Sequence, residues 1–288
     1  MRRNRRAVVL LMTLAMIALA SLAMTRIANH SMETVRRGLM AQKDVQQRWT
    51  QRTCREVLLE RAEELFEIQD EQILQRGAGW PLESTLDLNI QLGGESLKVM
   101  LRDEQSSANL NWLHSQKPQQ LPTIVAQAAL ASYAPIRLRP LDTSSPQHSR
   151  AFVSWGQVID FNRLDPEDSL LDSIDPLNET FTCWGKPRLN LKRASDDAIR
   201  LIAASCLDPV QIGGLLQTRR GFDGELETLW RMLEIHRTKQ LQLNRLFGTD
   251  SECYSLWLIR PTADRDRSTL MVSDTRARSD RSALIWHW

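Results

Sequence analysis

The stretch that decides the fold is the N-terminus, Arg2-Arg3-Asn4-Arg5-Arg6 followed by Ala7–Thr25, AVVLLMTLAMIALASLAMT. The 19 residues from Ala7 to Thr25 contain no charge, proline or glycine. As a helix rising about 1.5 Å per residue, they span roughly the hydrocarbon core of a bilayer. A helix pairs its own backbone polar groups, so it is stable in lipid. The arginines predict a cytoplasmic N-terminus and a chain that continues on the other side of the membrane.

Two other interpretations compete with a membrane anchor. Ser21-Leu22-Ala23 before Met24 fits the cleavage site of a secretory signal, and a buried helix of a soluble protein is the other alternative. The segment that follows favours a retained anchor. Between residues 26 and 76 there is no proline and one glycine, Gly38, and apolar residues recur at helical spacing. We therefore expect one nearly continuous helix of about 70 residues, with its first third in the membrane.

The composition bounds the rest of the chain. With 288 residues it can bury a core in one or two domains beyond the anchor, and its net charge of +2 gives no overall attraction to nucleic acid. None of the four cysteines forms a C-x-x-C pair, which leaves a zinc or thioredoxin-like site without support. A disulfide among Cys183, Cys206 and Cys253 and a set of buried free thiols both remain open.

Strand and helix patterns alternate in blocks after the long helix, which should end near Gly77. Residues 85–102 alternate apolar and polar side chains around Gly93-Gly94 and predict a hairpin. Strand character returns at 254–258, 269–272 and 284–286, and helices are predicted at 122–134, 194–203, 209–219 and 226–246. The Arg-rich stretch 260–281 is predicted to be an exposed loop. The order of blocks indicates an α+β fold in which a helical domain is inserted into an antiparallel sheet domain.

This order predicts five segments. They are a basic leader with a transmembrane segment (1–25), the part of the long helix beyond the membrane (26–80), the first part of the sheet domain (81–112), the inserted helical domain (113–249) and the C-terminal strands that complete the sheet (250–288).

Two groups of polar residues stand out. Asp103, Glu104, Asn109 and Asn111 follow the hairpin directly and are suited to turns and helix caps, as Ser195 is before the helix at 196. Acid–base catalysis by the carboxylate pair lacks a partner nucleophile or metal cluster. The second group is an acidic segment between 160 and 179, which is predicted to be either a solvated loop or a calcium site. Its carboxylates include Asp165, Asp168, Asp172 and Asp175, and carboxylates are oxygen ligands suited to calcium.

Taken in order, these pieces resemble the type II secretion system protein K family of minor pseudopilins. The resemblance is carried by the anchor helix, the hairpin, Asp103-Glu104 to Asn109-Leu110-Asn111, Gly185 to Asn190 with Ala194-Ser195, and Arg220-Gly221-Phe222. It implies a pseudopilin fold, with a long N-terminal helix packed on an antiparallel sheet and an inserted helical domain. It also implies a structural tip subunit of the periplasmic pseudopilus, anchored by a single pass in the inner membrane, that supports export of folded proteins. The implied partners are other minor pseudopilins, the inner-membrane secretion platform and the prepilin peptidase.

The resemblance also implies a processing site and a metal. The prepilin peptidase of this family cuts after a small residue that follows basic residues, which places the cut between Ala7 and Val8. The fifth mature position, where major pilins carry Glu, is Met12, in agreement with a type K subunit, and a second Asn of the later motif is replaced by Lys192. Calcium is associated with the helical insert of the family, and the Asp165 to Asp175 segment is the candidate.

The second functional interpretation is a membrane-anchored DNA-binding protein, because the region from Leu189 to Phe222 also resembles a helix-hairpin-helix repeat. That motif holds phosphate with the backbone amides of a glycine-containing hairpin. Here the hairpin position reads Ser205-Cys206-Leu207-Asp208-Pro209, without glycine and with an acidic side chain that repels phosphate. An enzyme is the third interpretation, and the five scattered histidines and the lack of any nucleophile or phosphate-loop motif count against it.

Overall fold

The computed structural model describes residues 2–92, 94–131, 138–139, 152–160, 170–260, 267–274 and 284–287. The chain forms two compact units, Met1–Arg52 and Thr53–Trp288. The first unit is helical throughout its described residues. The second contains a five-stranded antiparallel sheet and a set of shorter helices, so the predicted α+β class is confirmed.

The long helix is interrupted where the sequence predicts continuity. Helix α1 covers Arg2–Cys54, a π-helical turn covers Arg55–Leu59, and α2 covers Ala62–Gln75. The π turn inserts one residue into the helical repeat and so shifts the phase of the face that follows. Cys54 and Leu59, five residues apart, are both buried, as are Ala62 and Phe66 further on. The turn thus keeps one apolar face in contact with the sheet from Cys54 to Phe66.

The sheet contains five strands, β1 (Thr85–Leu92), β2 (Glu95–Asp103), β7 (Cys253–Arg260), β8 (Arg267–Asp274) and β9 (Leu284–His287). They lie side by side in the order β1-β2-β7-β8-β9, and all neighbours are antiparallel. The predicted hairpin is confirmed as β1 and β2, with Leu92 opposite Glu95. Strands β2 and β7 are neighbours in the sheet although residues 104–252 separate them in the chain.

Each face of the sheet packs on a different layer. On one face, Leu97, Val99 and Leu101 of β2 join Leu256 and Leu258 of β7 in a core with Cys54, Leu59, Ala62 and Phe66. On the other face, Met100, Trp257 and Leu270 belong to a larger core formed with residues 104–252. Period-two alternation therefore supplies both layers from the same strands.

The described part of residues 104–252 contains seven α-helices. The helices are α3 (Leu110–Gln116), α4 (Leu121–Ala131), α5 (Leu170–Thr180), α6 (Asp196–Ala203), α7 (Pro209–Arg219), α8 (Leu226–Met232) and α9 (Arg237–Leu246). Two short parallel pairs, which the sequence does not predict, connect them. These pairs are β3 (Ala108–Asn109) with β4 (Phe181–Thr182), and β5 (Leu189–Asn190) with β6 (Phe247–Gly248). The predicted limits of the five segments stay predictions.

Two predictions about this region are wrong in part. The single helix predicted at 226–246 is two helices, because Glu234 adopts a left-handed φ of 51° and His236 begins a new helix by accepting a hydrogen bond from the Thr238 N–H. The acidic segment predicted as a loop contains α5, whose Ile174 and Leu177 are buried. Burial of these two apolar side chains stabilises α5 although the segment around it is acidic.

The strand predicted at 269–272 is confirmed, and it corrects the prediction that the Arg-rich stretch 260–281 is an exposed hairpin loop. Residues 267–274 form β8, in which Leu270, Met271 and Val272 are buried between the two layers. Residues 261–266 and 275–283, which hold the rest of that stretch, lie outside the described residues.

Candidate functional site

The first candidate functional surface is the apolar part of α1. The described residues contain one helix long and apolar enough to cross a membrane, Met12–Leu59, and none of its most apolar window is buried. The large side chains along this window are about two-thirds exposed, among them Met12 at 69% and Met24 at 74%. Water disfavours so long an exposed apolar surface, so lipid or other apolar helices are its natural environment.

The few polar groups in this surface have partners within the helix. The Ser21 hydroxyl donates to the Ile17 carbonyl at 2.9 Å, and the Thr25 hydroxyl donates to the Ser21 carbonyl at 2.8 Å. Hydroxyls that bond one turn back remove the penalty of an unpaired donor in lipid. Ala7 and Val8 lie in the backbone of α1, and cleavage between them stays a prediction.

The second candidate feature is a buried polar network where β2 passes into residues 104–252. Asp103 is fully buried at the end of β2. One carboxylate oxygen accepts from the Gln105 N–H at 2.9 Å, and the other accepts from Asn190 Nδ2 at 2.9 Å and Ser251 Oγ at 2.6 Å. Burial raises the pKa of Asp103, while these hydrogen bonds and the nearby Arg193 guanidinium oppose the rise.

Glu104 is the second buried carboxylate of this network. One oxygen accepts from the Thr182 hydroxyl and the other from the Ser255 hydroxyl on β7. Burial raises the pKa of Glu104, and the charge of Arg102 opposes the rise. Arg102 itself donates to Ser107 Oγ at 2.9 Å and to the Asn178 carbonyl. The sequence predicts that both carboxylates accept hydrogen bonds from nearby backbone groups. Asp103 does so from the Gln105 N–H, whereas both hydrogen-bond partners of Glu104 lie far along the chain.

Asn109 combines a local and a distant role. Its Oδ1 accepts from the Trp112 N–H at 3.0 Å and so caps α3. Its Nδ2 donates to the carbonyls of Trp184 at 2.9 Å and Gly185 at 3.1 Å. Gly185 has a φ of 75°, and a Cβ there would lie 2.9 Å from Cys253 Cβ. The side chain therefore fixes a tightly packed turn after β4.

Asn111 joins two further segments in the same way. Its Nδ2 donates to the carbonyls of Phe152 at 2.9 Å and Cys183 at 3.0 Å, and its Oδ1 accepts from the Phe152 N–H at 2.8 Å. An amide that satisfies three backbone groups can replace the pairing that a regular strand would supply.

The third group of predicted residues lies before α6. Asn190 donates to Asp103, as described above, and also accepts from the Lys192 N–H at 3.1 Å. Ala194 is buried, and Ser195 caps α6 by accepting from the Ala198 N–H at 3.2 Å. The structure thus joins Asn190 directly to Asp103 and places Asn109 opposite Thr182, the hydrogen-bond partner of Glu104, while Ser195 acts locally.

The sequence reasoning missed Arg193, which joins this network to α2. Its guanidinium lies 2.5 Å from Asp70 of α2 and 3.6 Å from Asp103, and it donates to the Glu83 carbonyl at 2.6 Å. It also stacks over the Phe66 ring at 4.4 Å. Because Asp70 is 123 residues away in the chain, no local pattern could have identified the pair.

The chemistry of this network is that of a structural junction. Both oxygens of each buried carboxylate already accept hydrogen bonds from fixed donors, so neither is presented to a ligand. The network ties the edge of β2 to β7, to α2 and to residues 104–252. The paired carboxylates of this network favour one arrangement of the core over its alternatives, although Arg102 Nε and Asp70 Oδ1 are buried without a hydrogen-bond partner among the described residues.

The four cysteines, all within the described residues, form no disulfide, and Cys54, Cys183 and Cys253 are buried. Burial raises the pKa of the Cys183 thiol, and the nearby Glu104 raises it further. A raised thiol pKa lowers the thiolate fraction and with it the reactivity.

The predicted calcium ligands are only partly within the described residues. Asp165 and Asp168 lie outside them, Asp172 belongs to α5, and Asp175 of α5 is exposed. Within the described ranges, no group of three or more His, Cys, Asp or Glu residues could hold a metal. Calcium binding therefore stays a prediction.

The region that resembles a helix-hairpin-helix repeat has its amides occupied. Helices α6 and α7 are joined by a turn in which Asp208 caps α7, accepting from the Val210 N–H at 3.0 Å and the Gln211 N–H at 2.9 Å. These amides are the ones that would hold a phosphate, and a carboxylate already fills their place. The geometry gives the DNA-binding alternative no support.

No protein-family model matches this chain, and no curated protein matches its sequence. Among solved structures, the chain is similar to one in "The Crystal Structure of the GspK-GspI-GspJ complex from enterotoxigenic Escherichia coli Type 2 Secretion System". The two are 16% identical with a TM-score of 0.48, over 87% of this chain and 98% of the other. A TM-score below 0.5 at this identity is too low to assign a function.

Proposed function

We propose that this chain is a minor pseudopilin, a structural subunit of a type II secretion pseudopilus. The observation that carries the proposal is the order of its parts. An exposed apolar helix is followed by a helix packed on an antiparallel sheet, and residues 104–252 are inserted between two neighbouring strands of that sheet. An apolar helix that leaves a bilayer needs other apolar helices around it, and the core of a helical filament provides them.

The proposal assigns each part a role. The N-terminal helix anchors the chain by a single pass in the inner membrane, with the basic N-terminus in the cytoplasm and the body in the periplasm. After processing by the prepilin peptidase at Ala7, the same helix joins other minor pseudopilins, and the secretion platform drives assembly. The inserted residues 104–252 suit a position at the tip. The buried network keeps this insert fixed to the sheet, and we assign the chain no catalytic role.

A secretion assay tests the proposal. The gene is deleted in its own cell and complemented with the wild-type chain or with a variant carrying Leu14→Arg and Ile17→Arg, two apolar positions that are 66% exposed. A charged residue at the centre of a membrane helix costs about 2.5–3.5 kcal/mol by insertion scales. Wild type should restore export of folded proteins, whereas the variant should leave them in the periplasm. Normal export in the deletion strain would refute the proposal.

Calcium binding by the acidic segment is a separate proposal. It is tested by the melting temperature of the full chain in calcium and in chelator, with a variant in which Asp165, Asp168, Asp172 and Asp175 are replaced by Asn. A ligand that binds only the folded state raises the melting temperature. Equal melting temperatures of the wild type in both buffers would exclude the site.

A further inference from the structure

The exposed side of the π turn and α2 carries a line of glutamates. Their spacing of three and four residues places them on one side of a helix. The exposed members are Glu60, Glu63, Glu64, Glu67 and Glu71, which we call the acidic face. On the other side, Leu59, Ala62 and Phe66 are buried against the sheet. The acidic face is therefore held outward by the packing of α2.

The glutamates of the acidic face are not neutralised by ion pairs within the described residues. In the part of the chain that the structure describes, none of its five glutamates forms an ion pair, whereas Asp70 on the neighbouring side of α2 pairs with Arg193 at 2.5 Å. Like charges three or four residues apart destabilise a helix. Two exposed apolar side chains, Val57 at 52% and Ile68 at 54%, flank the glutamates. A surface patch of one charge favours a partner surface of the opposite charge.

We propose that the acidic face docks a basic α-helix of a neighbouring pseudopilin subunit, an inference that rests on the function proposed above. The negative charge of the acidic face favours a cationic partner. Because Glu60, Glu64, Glu67 and Glu71 follow one another along the π turn and α2 at spacings of four, three and four residues, the face matches the charge spacing of another α-helix. The chain itself shows that such a helix is available in this kind of protein. Residues 36–55 contain six basic residues and one acidic residue, whereas residues 56–71 contain seven acidic residues and one basic residue.

The spacings of the two segments match. Arg48, Arg52 and Arg55 are four and three residues apart, as are Glu60, Glu64 and Glu67. When two such helices lie parallel and in register, like charges face each other and the helices repel. A shift of 12 residues, roughly 18 Å along a helix, places Arg48, Arg52 and Arg55 of one helix beside Glu60, Glu64 and Glu67 of the other, so the helices attract. A stagger between subunits thus follows from charge. An anionic membrane surface, by contrast, would be repelled by the acidic face.

The experiment measures binding of a fluorescent peptide to the full chain in non-ionic detergent micelles, by anisotropy at low salt. The probe is residues 36–55 of this chain, with Cys54 replaced by Ser. A variant carrying Glu64→Gln, Glu67→Gln and Glu71→Gln should bind about tenfold more weakly, the effect of three exposed ion pairs. The control variant, Asp223→Asn with Glu225→Gln and Glu227→Gln, removes the same charge from exposed positions elsewhere. It should bind like wild type.

Three outcomes overturn the proposal. They are equal binding by the two variants, undiminished binding of a peptide in which Arg48, Arg52 and Arg55 are Gln, and affinity that does not fall with salt. Sedimentation of the chain alone adds a further test. A wild-type dimer that the Glu64, Glu67 and Glu71 variant loses would show that a second copy occupies this face. None of these results alters processing at Ala7, so failure here is distinct from failure of the proposed function.

Discussion

The substitution Arg193→Met tests the buried junction directly. The arginine side chain is 5% exposed, and its guanidinium lies against two carboxylates, Asp70 at 2.5 Å and Asp103 at 3.6 Å. Methionine keeps much of the volume over the Phe66 ring but removes the charge and every donor. The two carboxylates, 13% and 0% exposed, would then be left without their cation.

Removal of one partner from a buried ion pair costs about 3–5 kcal/mol, because the remaining charge is stranded in a poorly solvated site. We expect a loss of this size in the free energy of unfolding, a large part of the roughly 5–15 kcal/mol typical of a domain. The stacking of Arg193 on Phe66 is largely replaced by apolar contact, so it adds little. The cost should shrink as the pH falls from 7 to 5, because protonation of the stranded carboxylates removes the buried charge.

Urea unfolding of the full chain in detergent micelles, followed by tryptophan fluorescence at both pH values, measures this loss. Arg220→Met is the matched control, because Arg220 is 71% exposed and its contact to Asp196 is 3.3 Å. Exposed pairs contribute less than about 1 kcal/mol. The reasoning would be refuted by equal losses in the two variants, or by an Arg193→Met loss that does not change with pH.

The remaining predictions concern single positions. Burial raises the pKa of Glu104, so its contribution to stability is complete below about pH 4 and is lost as the pH rises through the raised pKa. Urea unfolding at several pH values should therefore show that the free energy of unfolding of the wild type rises relative to that of Glu104→Gln as the pH falls. A difference between the two that stays constant with pH would contradict this. Ser195→Ala should lower the free energy of unfolding by about 1 kcal/mol and speed amide exchange in α6, and unchanged exchange would exclude the cap. Gly185→Ala should destabilise by about 2 kcal/mol or more, because φ is 75° and the new Cβ would meet Cys253 at 2.9 Å. Gly213→Ala, in α7 with nothing within 4 Å, should stabilise by about 0.5–1 kcal/mol, and effects of the same sign at the two glycines would contradict the structure.

Elements with a local code could be predicted from the sequence. The hairpin around Gly93-Gly94 and helix α7, which begins at Pro209 after the Asp208 cap, both lie where their turn and cap residues indicate. The single helix predicted at 226–246 fails because its apolar spacing continues across Glu234, whose left-handed φ is not encoded by a glycine. The π turn could not be predicted either, because the composition of Arg55–Leu59 is that of an ordinary helix.

The candidate site shows a different limit. Cap residues such as Asn109 could be predicted because a cap bonds to a backbone group a few residues away. The long-range partners could not, since Glu104 meets Ser255 across 151 residues and Arg193 meets Asp70 across 123. A single sequence carries the residue types of such pairs but not their proximity, which depends on the completed sheet.

A processed pseudopilin subunit should carry a shortened N-terminal helix. The N-terminal sequence of the mature protein, purified from the membranes of the cell that produces it, tests this most directly. We expect a chain that starts at Val8, after cleavage at Ala7. A start at Met24 would show a cleaved secretory signal and contradict the filament role, and an intact Met1 would show a plain anchored protein that no prepilin peptidase processes.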